Sequence, residues 1–112
     1  MDIIYNMDEP DKALSAAEFE WDRGNIEKNW ERHRVAYVEC EEVLLSGQFI
    51  ITKDTAHSIA EDRYRVLGKT DEGRILFLAF TLRGGKIRVI TASDANKKER
   101  KTYEEAEKSA NL

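Results

Sequence analysis

The sequence predicts an α+β fold, in which an antiparallel sheet of four to five strands is accompanied by two N-terminal helices and one C-terminal helix. Three observations support this prediction: an apolar hairpin in the second half of the chain, two helical segments before it, and a charged helical segment after it. The predicted order of elements is β-α-α-β-β-β-β-α, with the helices on one side of the sheet.

The predicted centre of the sheet is a hairpin over residues 74–92. Residues 75–82 form a nearly unbroken apolar run, typical of a strand that is covered on both faces. Gly84 and Gly85 come next, and they predict a two-residue turn because both can adopt positive φ. From Ile87 onward the side chains are expected to alternate between two faces of a second strand, with Ile87 and Val89 on one face and Arg88 and Ile90 on the other.

Residues 19–33 predict a short strand and a first helix. The segment 19–22 alternates, and Asp22 is placed to cap a helix that runs from Arg23 to about His33. Spacings of four and seven residues define the helix face that we expect to be buried. That face consists of Ile26, Trp30 and His33.

A second helix is predicted from Val38 to Leu45, and Gly47 is placed to end it. Its predicted core-facing residues are Val38, Cys40, Val43 and Leu44. Residues 48–52 and 63–69 then predict two strands, separated by a polar segment.

The two ends of the chain carry little apolar surface. Residues 1–17 are predicted to be an N-terminal extension, which either adds an edge strand or frays, and residues 18–112 a single domain. The last helix, from Lys97 to about Ser109, has an apolar stripe of only Tyr103, Ala106 and Ala110. We expect it either to dock lightly through Tyr103 or to move.

Composition excludes several classes of protein. No segment approaches the roughly 20 apolar residues of a membrane span, and the N-terminus does not resemble a signal peptide. Cys40 is the only cysteine, so an intramolecular disulfide and the usual cysteine zinc sites are excluded. The two histidines, 24 positions apart, form no recognisable metal-ligand set. The sequence therefore predicts a cytoplasmic protein without a membrane segment or a metal site.

The net charge of −4 conceals a division between the two halves of the chain. Residues 1–62 carry 6 Lys or Arg and 15 Asp or Glu, a net charge of −9. Residues 63–112 carry 12 Lys or Arg and 7 Asp or Glu, a net charge of +5. A basic half on an acidic protein indicates a phosphate binder, although charge runs of this kind also occur as solvated faces.

A set of short motifs resembles the BrnT family in order and spacing over residues 19–105. No single motif is specific, and the resemblance depends on how many of them are in register. They are Phe19-x-Trp21-Asp22, Asn29, His33, His57-Ser58, Glu61-x-Arg63, Gly68, Gly73-Arg74, Thr81-x-Arg83, Ile87-Arg88-x-Ile90-Thr91-Ala92 and Glu99-Arg100-x-x-Tyr103.

The resemblance implies a RelE-like fold and a ribonuclease toxin of a type II toxin–antitoxin system. It further implies that RNA is the substrate, that cleavage inhibits translation and needs no cofactor, and that a cognate antitoxin neutralises the toxin in a complex that is a higher oligomer. Two positions depart from the family pattern. Arg34 stands where the family usually has glycine, and Ser93 stands where it usually has arginine. If that arginine contacts RNA, the chain is a weakened or inactive toxin that acts as an antitoxin-binding or RNA-binding module.

Cleavage of RNA without a metal needs a base for the 2′-OH, an acid for the leaving 5′ oxygen and cations for the phosphate. His57 can act as acid or base near neutral pH, and Glu61 can act as a base or orient Arg63. The alternatives for these side chains are a surface histidine, a solvated carboxylate and an ion-paired arginine. The candidate catalytic residues are His57, Glu61 and Arg63.

Phosphate binding favours arginine, since the guanidinium group makes bidentate contacts and stays charged. Basic residues at the start of the last helix oppose the helix dipole, so a role other than helix stability is expected of them, contact with RNA or with an acidic antitoxin. The candidate phosphate-binding residues are Arg83, Arg88, Lys97 and Arg100. All four also have the ordinary alternative of pairing with carboxylates or facing solvent.

Overall fold

The structure is a computed structural model that describes residues 2–4 and 18–110. In these residues it has six strands, three α-helices and one 3₁₀ turn. The strands are β1 (Asp2–Ile4), β2 (Glu18–Phe19), β3 (Phe49–Lys53), β4 (Arg63–Lys69), β5 (Ile75–Arg83) and β6 (Lys86–Asp94); the helices are α1 (Arg23–His33), α2 (Tyr37–Leu45) and α3 (Lys97–Ala110); the 3₁₀ turn is Thr55–His57.

The strands form one sheet in the order β1-β3-β4-β5-β6-β2. The prediction of a purely antiparallel sheet is wrong, because β2 pairs with β6 in parallel. No hairpin joins β2 to β6, so chain connectivity does not impose an antiparallel direction on this pair. At the other edge, β1 pairs antiparallel with β3, which agrees with the predicted edge strand. The rest of the predicted extension, residues 5–17, lies outside the described residues.

The predicted central hairpin is confirmed. Gly84 and Gly85 have φ angles of 59° and 78°, which an L side chain rarely adopts. Along β5, Leu76, Leu78 and Phe80 of one face are fully buried, whereas Ile75 and Phe77 of the other face are half-buried. The two faces of β5 are therefore covered unequally, whereas the apolar run predicts a strand that is covered on both faces.

Helices cover both sides of the sheet, which corrects the prediction that they share one side. Ile50 packs with Tyr103 of α3, whereas the next residue, Ile51, packs with Val43 of α2. Because successive strand residues point to opposite faces, α2 and α3 lie on opposite faces of the sheet. Tyr103 is only 2 % exposed and donates a hydrogen bond to the carbonyl oxygen of Gln48 at 3.3 Å. One buried aromatic residue thus docks a helix that is otherwise highly charged.

The buried face of α1 is polar, and the apolar stripe predicted for it is wrong. Trp30 is 47 % exposed and His33 is exposed, whereas Asn25 and Asn29 are buried. The two asparagines face β6, where their amides bond to its backbone. Hydrogen-bonding demand at the edge of the sheet, and not hydrophobicity, decides how this helix is rotated.

The core face of α2 is largely as predicted. Cys40, Val43 and Leu44 are buried, but Val38 is 46 % exposed. Burial raises the pKa of the Cys40 thiol to about 12, so this cysteine stays protonated at neutral pH. Gly47 follows the helix with a φ of 73°, as expected of a glycine that ends a helix.

The Arg74 side chain joins three elements at one end of the sheet. It donates to the carbonyl oxygen of Arg34, beyond the end of α1, at 2.9 Å, and to the Glu39 carboxylate in α2 at 3.0 Å. It also donates to Asp94, at the end of β6, at 2.7 Å. Hydrogen bonding to Arg74 lowers the pKa of Asp94, and hydrogen bonding to Asp94 raises the pKa of Arg74. These contacts fix both N-terminal helices relative to the sheet.

We expect Arg34→Gly to be more stable than Arg34→Ala by about 1 kcal/mol. Arg34 is the only described non-glycine residue with positive φ, at 53°, and it ends α1. Its guanidinium lies 5.4 Å from the centre of the Trp30 ring, a contact that both variants lose. Chemical denaturation measures the difference, and equal stabilities would show that the left-handed conformation of Arg34 costs nothing.

Candidate functional site

The main candidate site is an open cleft of about 400 Å³ beside the turn of the β5–β6 hairpin. Helix α3 contacts the Lys69 end of β4, and the cleft begins at the opposite end of that strand, at Arg63. Side chains from β4, β5, β6, α1 and the loop before β4 converge there. The lining residues are Asp22, Gly24, Asn25, Lys28, Glu61, Arg63, Arg83, Arg88, Val89 and Ile90.

Strand register places two of the arginines on one face of the sheet, on the two strands that flank β5. Arg63 pairs with Thr81, and Thr81 pairs with Arg88 on the next strand. Thr81 is buried, and its hydroxyl donates to the carbonyl oxygen of Asp62 at 2.6 Å, which holds the loop before β4 against β5. The floor of the cleft is therefore rigid sheet, and the arginines project from it.

A β-bulge in β6 decides which face Arg88 occupies. Ala79 pairs with Thr91 and Phe80 pairs with Val89, so Ile90 has no partner on β5. Without the extra residue, the alternation along β6 would place Arg88 on the core side. The bulge instead puts Arg88 on the face that also carries Arg63, here called the open face, and keeps Val89 buried on the core side.

Two asparagines of α1 bind β6 on either side of the bulge. Nδ2 of Asn25 donates to the carbonyl oxygen of Val89 at 3.2 Å, and the backbone N–H of Ala92 donates to Oδ1 of Asn29 at 3.1 Å. Nδ2 of Asn29 also donates to the carbonyl oxygen of Asn25 at 3.0 Å. These amides satisfy backbone groups that β2 is too short to reach. This role of Asn25 and Asn29 was not predicted from the sequence. The sequence feature that indicates it is the presence of two asparagines four residues apart in a helix, where asparagine is unfavourable.

Arg88 is held by two carboxylates from the segment that precedes α1. Its Nη2 lies 2.7 Å from Oδ2 of Asp22, and its Nη1 lies 3.2 Å from Oε1 of Glu20. The backbone N–H of Asn25 and the Arg88 guanidinium lower the pKa of Asp22, and the hydrogen bond to Asp22 raises the pKa of Arg88. Asp22 also caps α1, as predicted, in a capping box with Asn25.

Arg83 is paired as well, and Arg63 is not. Nη2 of Arg83 lies 3.2 Å from Oε1 of Glu61, and Nη1 of Arg83 lies 3.9 Å from Oε1 of Glu20. The half-buried Arg63 side chain makes no ion pair or hydrogen bond within residues 18–110. The cleft therefore has one guanidinium that is already free to bind an anion and two that carboxylates neutralise.

The structure does not bring His57, Lys97 or Arg100 into the cleft. His57 ends the 3₁₀ turn, is exposed, and its Nδ1 lies 2.9 Å from Oδ2 of Asp54. Lys97 and Arg100 lie on the exposed side of α3, along a separate shallow groove of that helix. Of the predicted site residues, the cleft unites Glu61, Arg63, Arg83 and Arg88.

In the described part of the chain, no three or more His, Cys, Asp or Glu side chains are grouped so that they could hold a metal ion. None of its helices has the length and apolar character that crossing a membrane requires.

A profile of the ribonuclease toxin BrnT of type II toxin–antitoxin systems matches residues 21–99, most of the chain. The chain belongs to the BrnT family. The crystal structure of the Brucella abortus ribonuclease toxin BrnT superposes with a TM-score of 0.57 at 19 % sequence identity, over 73 % of this chain and 100 % of that one. At this identity the likeness shows a shared fold. No functionally curated protein matches the chain.

The segment that matches the BrnT profile includes every predicted site residue except Arg100. It also includes Arg34 and Ser93, the two positions at which the resemblance predicts a departure from the family pattern. Ser93 is half-buried on β6 and pairs with Phe77, on the same side of the sheet as α3. The RelE-like character of the fold stays a prediction.

Proposed function

We propose that this BrnT-family chain is a ribonuclease toxin that cleaves RNA in the arginine cleft without a metal ion, and that a cognate antitoxin neutralises it. The observation that carries the proposal is the convergence of Arg63, Arg83 and Arg88 beside Glu61 on the open face of the sheet. A guanidinium group complements a phosphodiester in the sign of its charge and in hydrogen-bonding geometry. The stoichiometry of the toxin–antitoxin complex stays a prediction.

In the proposed reaction the 2′-OH of the substrate attacks the neighbouring phosphorus. Glu61 accepts the 2′-OH proton, the O2′–P bond forms and the P–O5′ bond breaks. His57, the candidate general acid, lies outside the cleft but on the loop that also carries Glu61, so in this proposal the RNA extends from the cleft to that loop, where His57 protonates the leaving 5′ oxygen. The arginines stabilise the extra negative charge on the phosphorane oxygens. The products are a 2′,3′-cyclic phosphate and a 5′-hydroxyl.

Incubation of the purified protein with unstructured RNA in the presence of EDTA tests the reaction. We expect cleavage to persist in EDTA and to leave 2′,3′-cyclic phosphate ends, and we expect Glu61→Gln and His57→Ala each to slow it. Loss of cleavage on chelation would contradict metal-independent chemistry. Unchanged cleavage by His57→Ala would remove that residue from the mechanism and leave the cleft in place.

Ser93 favours a second candidate function, a binding module that has kept the fold and lost the nuclease activity. Induced expression of the chain alone, beside a Ser93→Arg variant, separates the two candidates. We expect growth arrest by the native chain, which would show that serine is tolerated at this position. Arrest by Ser93→Arg alone would show a toxin disarmed at one residue, and arrest by neither would favour the binding module.

A further inference from the structure

The two paired arginines of the cleft share one carboxylate. Oε1 of Glu20 lies 3.2 Å from Nη1 of Arg88 and 3.9 Å from Nη1 of Arg83, so a single anionic oxygen sits between the two guanidinium groups. An oxygen of a phosphodiester has the same charge and the same acceptor chemistry. The position between these arginines is where an RNA phosphate would bind, and Glu20 occupies it.

Glu20 reaches this position because its backbone is fixed. Its N–H donates to the carbonyl oxygen of Ile87 at 2.8 Å, which extends the β2–β6 pairing by one residue. Its side chain is 34 % exposed, so the pair with the arginines is open to water and to competing ions. Glu20 also lies one residue before the segment that matches the BrnT profile.

We propose that Glu20 is a built-in competitor of the substrate, whose carboxylate holds Arg83 and Arg88 until an RNA phosphate displaces it. The proposal rests on the proposed function in naming RNA as the ligand. Arg63, which has no ion-pair partner in residues 18–110, receives the first phosphate contact. The exchange at Glu20 then exposes the Nη1 groups of Arg83 and Arg88 to the RNA, while Glu61 stays on Arg83 and Asp22 stays on Arg88. The carboxylate keeps a cationic cleft from binding polyanions indiscriminately.

Glu20→Gln tests the proposal, because the amide preserves the shape of the side chain and removes its charge. Asp22 is unsuitable, since its carboxylate also caps α1. Glu18→Gln is the matched control: it is the same substitution two residues earlier in the chain, and Glu18 is exposed and forms no ion pair within the described residues.

Binding of a short, uncleavable 2′-O-methyl oligouridine is measured by fluorescence anisotropy at several salt concentrations. We expect Glu20→Gln to bind about three- to fivefold more tightly than the wild type, the effect of removing one solvent-exposed ion-pair competitor. Its affinity should also fall more steeply with salt, with a slope larger by about 0.7 for each phosphate that gains an arginine. Glu18→Gln should stay within about twofold of the wild type.

Two results would overturn the proposal. Unchanged or weaker binding by Glu20→Gln would show that Glu20 positions the arginines and does not compete with phosphate. An equal gain by both variants would reduce the effect to overall charge. The binding assay does not depend on catalysis. Tighter binding by Glu20→Gln would therefore support the proposal for Glu20 even if the wild type cleaves no RNA. If the wild type cleaves RNA but Glu20→Gln binds no more tightly, only the proposal for Glu20 is contradicted, and the proposed function stands.

Discussion

Replacement of Arg63 by alanine is expected to reduce RNA cleavage about a hundredfold, the usual cost of removing one group that stabilises charge in a transition state. Arg63 lines the cleft and makes no ion pair within residues 18–110, so its guanidinium is available to a phosphate. For the same reason its removal should change the free energy of unfolding by less than about 0.5 kcal/mol. Single-turnover cleavage of RNA by the purified variant measures the effect.

Arg65→Ala is the matched control for Arg63. Arg65 lies two residues further along β4 on the same face, is exposed, and does not line the cleft. We expect this variant to lose less than about threefold in rate, through its weak long-range attraction for RNA. Equal losses in both variants would show that the total charge of this face matters and that the cleft is not the site.

Replacement of Gly68 by alanine is expected to destabilise the fold by about 2–3 kcal/mol through overpacking. A Cβ at this position would lie 2.5 Å from Cγ1 of Val43 and 3.2 Å from Cβ of Phe49. Both neighbours are completely buried, so neither side chain has room to move. The absence of a side chain at Gly68 is what lets α2 approach the sheet. Chemical denaturation of the wild type and the variant measures the loss.

A double-mutant cycle with Val43→Ala separates this clash from other effects of the substitution. Val43→Ala removes the methyl group that the new Cβ would meet. In that background we expect Gly68→Ala to cost less than about 1 kcal/mol, a coupling of about 2 kcal/mol between the two positions. Additive effects would show that the cost arises elsewhere, for instance from the contact with Phe49.

Local patterns determined most of the elements. The residues that begin and end α1 were predictable because Asp22 is a strong capping residue and because helix ends are set by groups within a few positions in the sequence. The β5–β6 turn was predictable for a similar reason, since two adjacent glycines favour the positive φ angles of a tight hairpin. These features depend on neighbouring residues alone.

The composition of the cleft was only partly predictable. Glu61, Arg63, Arg83 and Arg88 were named because their side chains suit phosphate chemistry, and the sheet does bring them together. The ion pairs that neutralise two of the arginines are not predictable from the sequence, because their partners depend on how β2 and the loop before β4 lie against the hairpin. Glu20 itself carried no signal, since an isolated glutamate in an acidic segment looks like surface.

The sequence by itself determined the family, the order of the elements from β2 onward and the residue types of the site. The tertiary structure decided which faces these residues occupy. The bulge at Ile90 turns Arg88 to the open face, a contact with the buried Tyr103 places α3 across the sheet from α2, and Asn25 and Asn29 are buried because the β6 backbone needs partners. The physical reason is common to all three: each depends on pairing or packing between residues distant along the chain, which the periodicity of a single segment does not record.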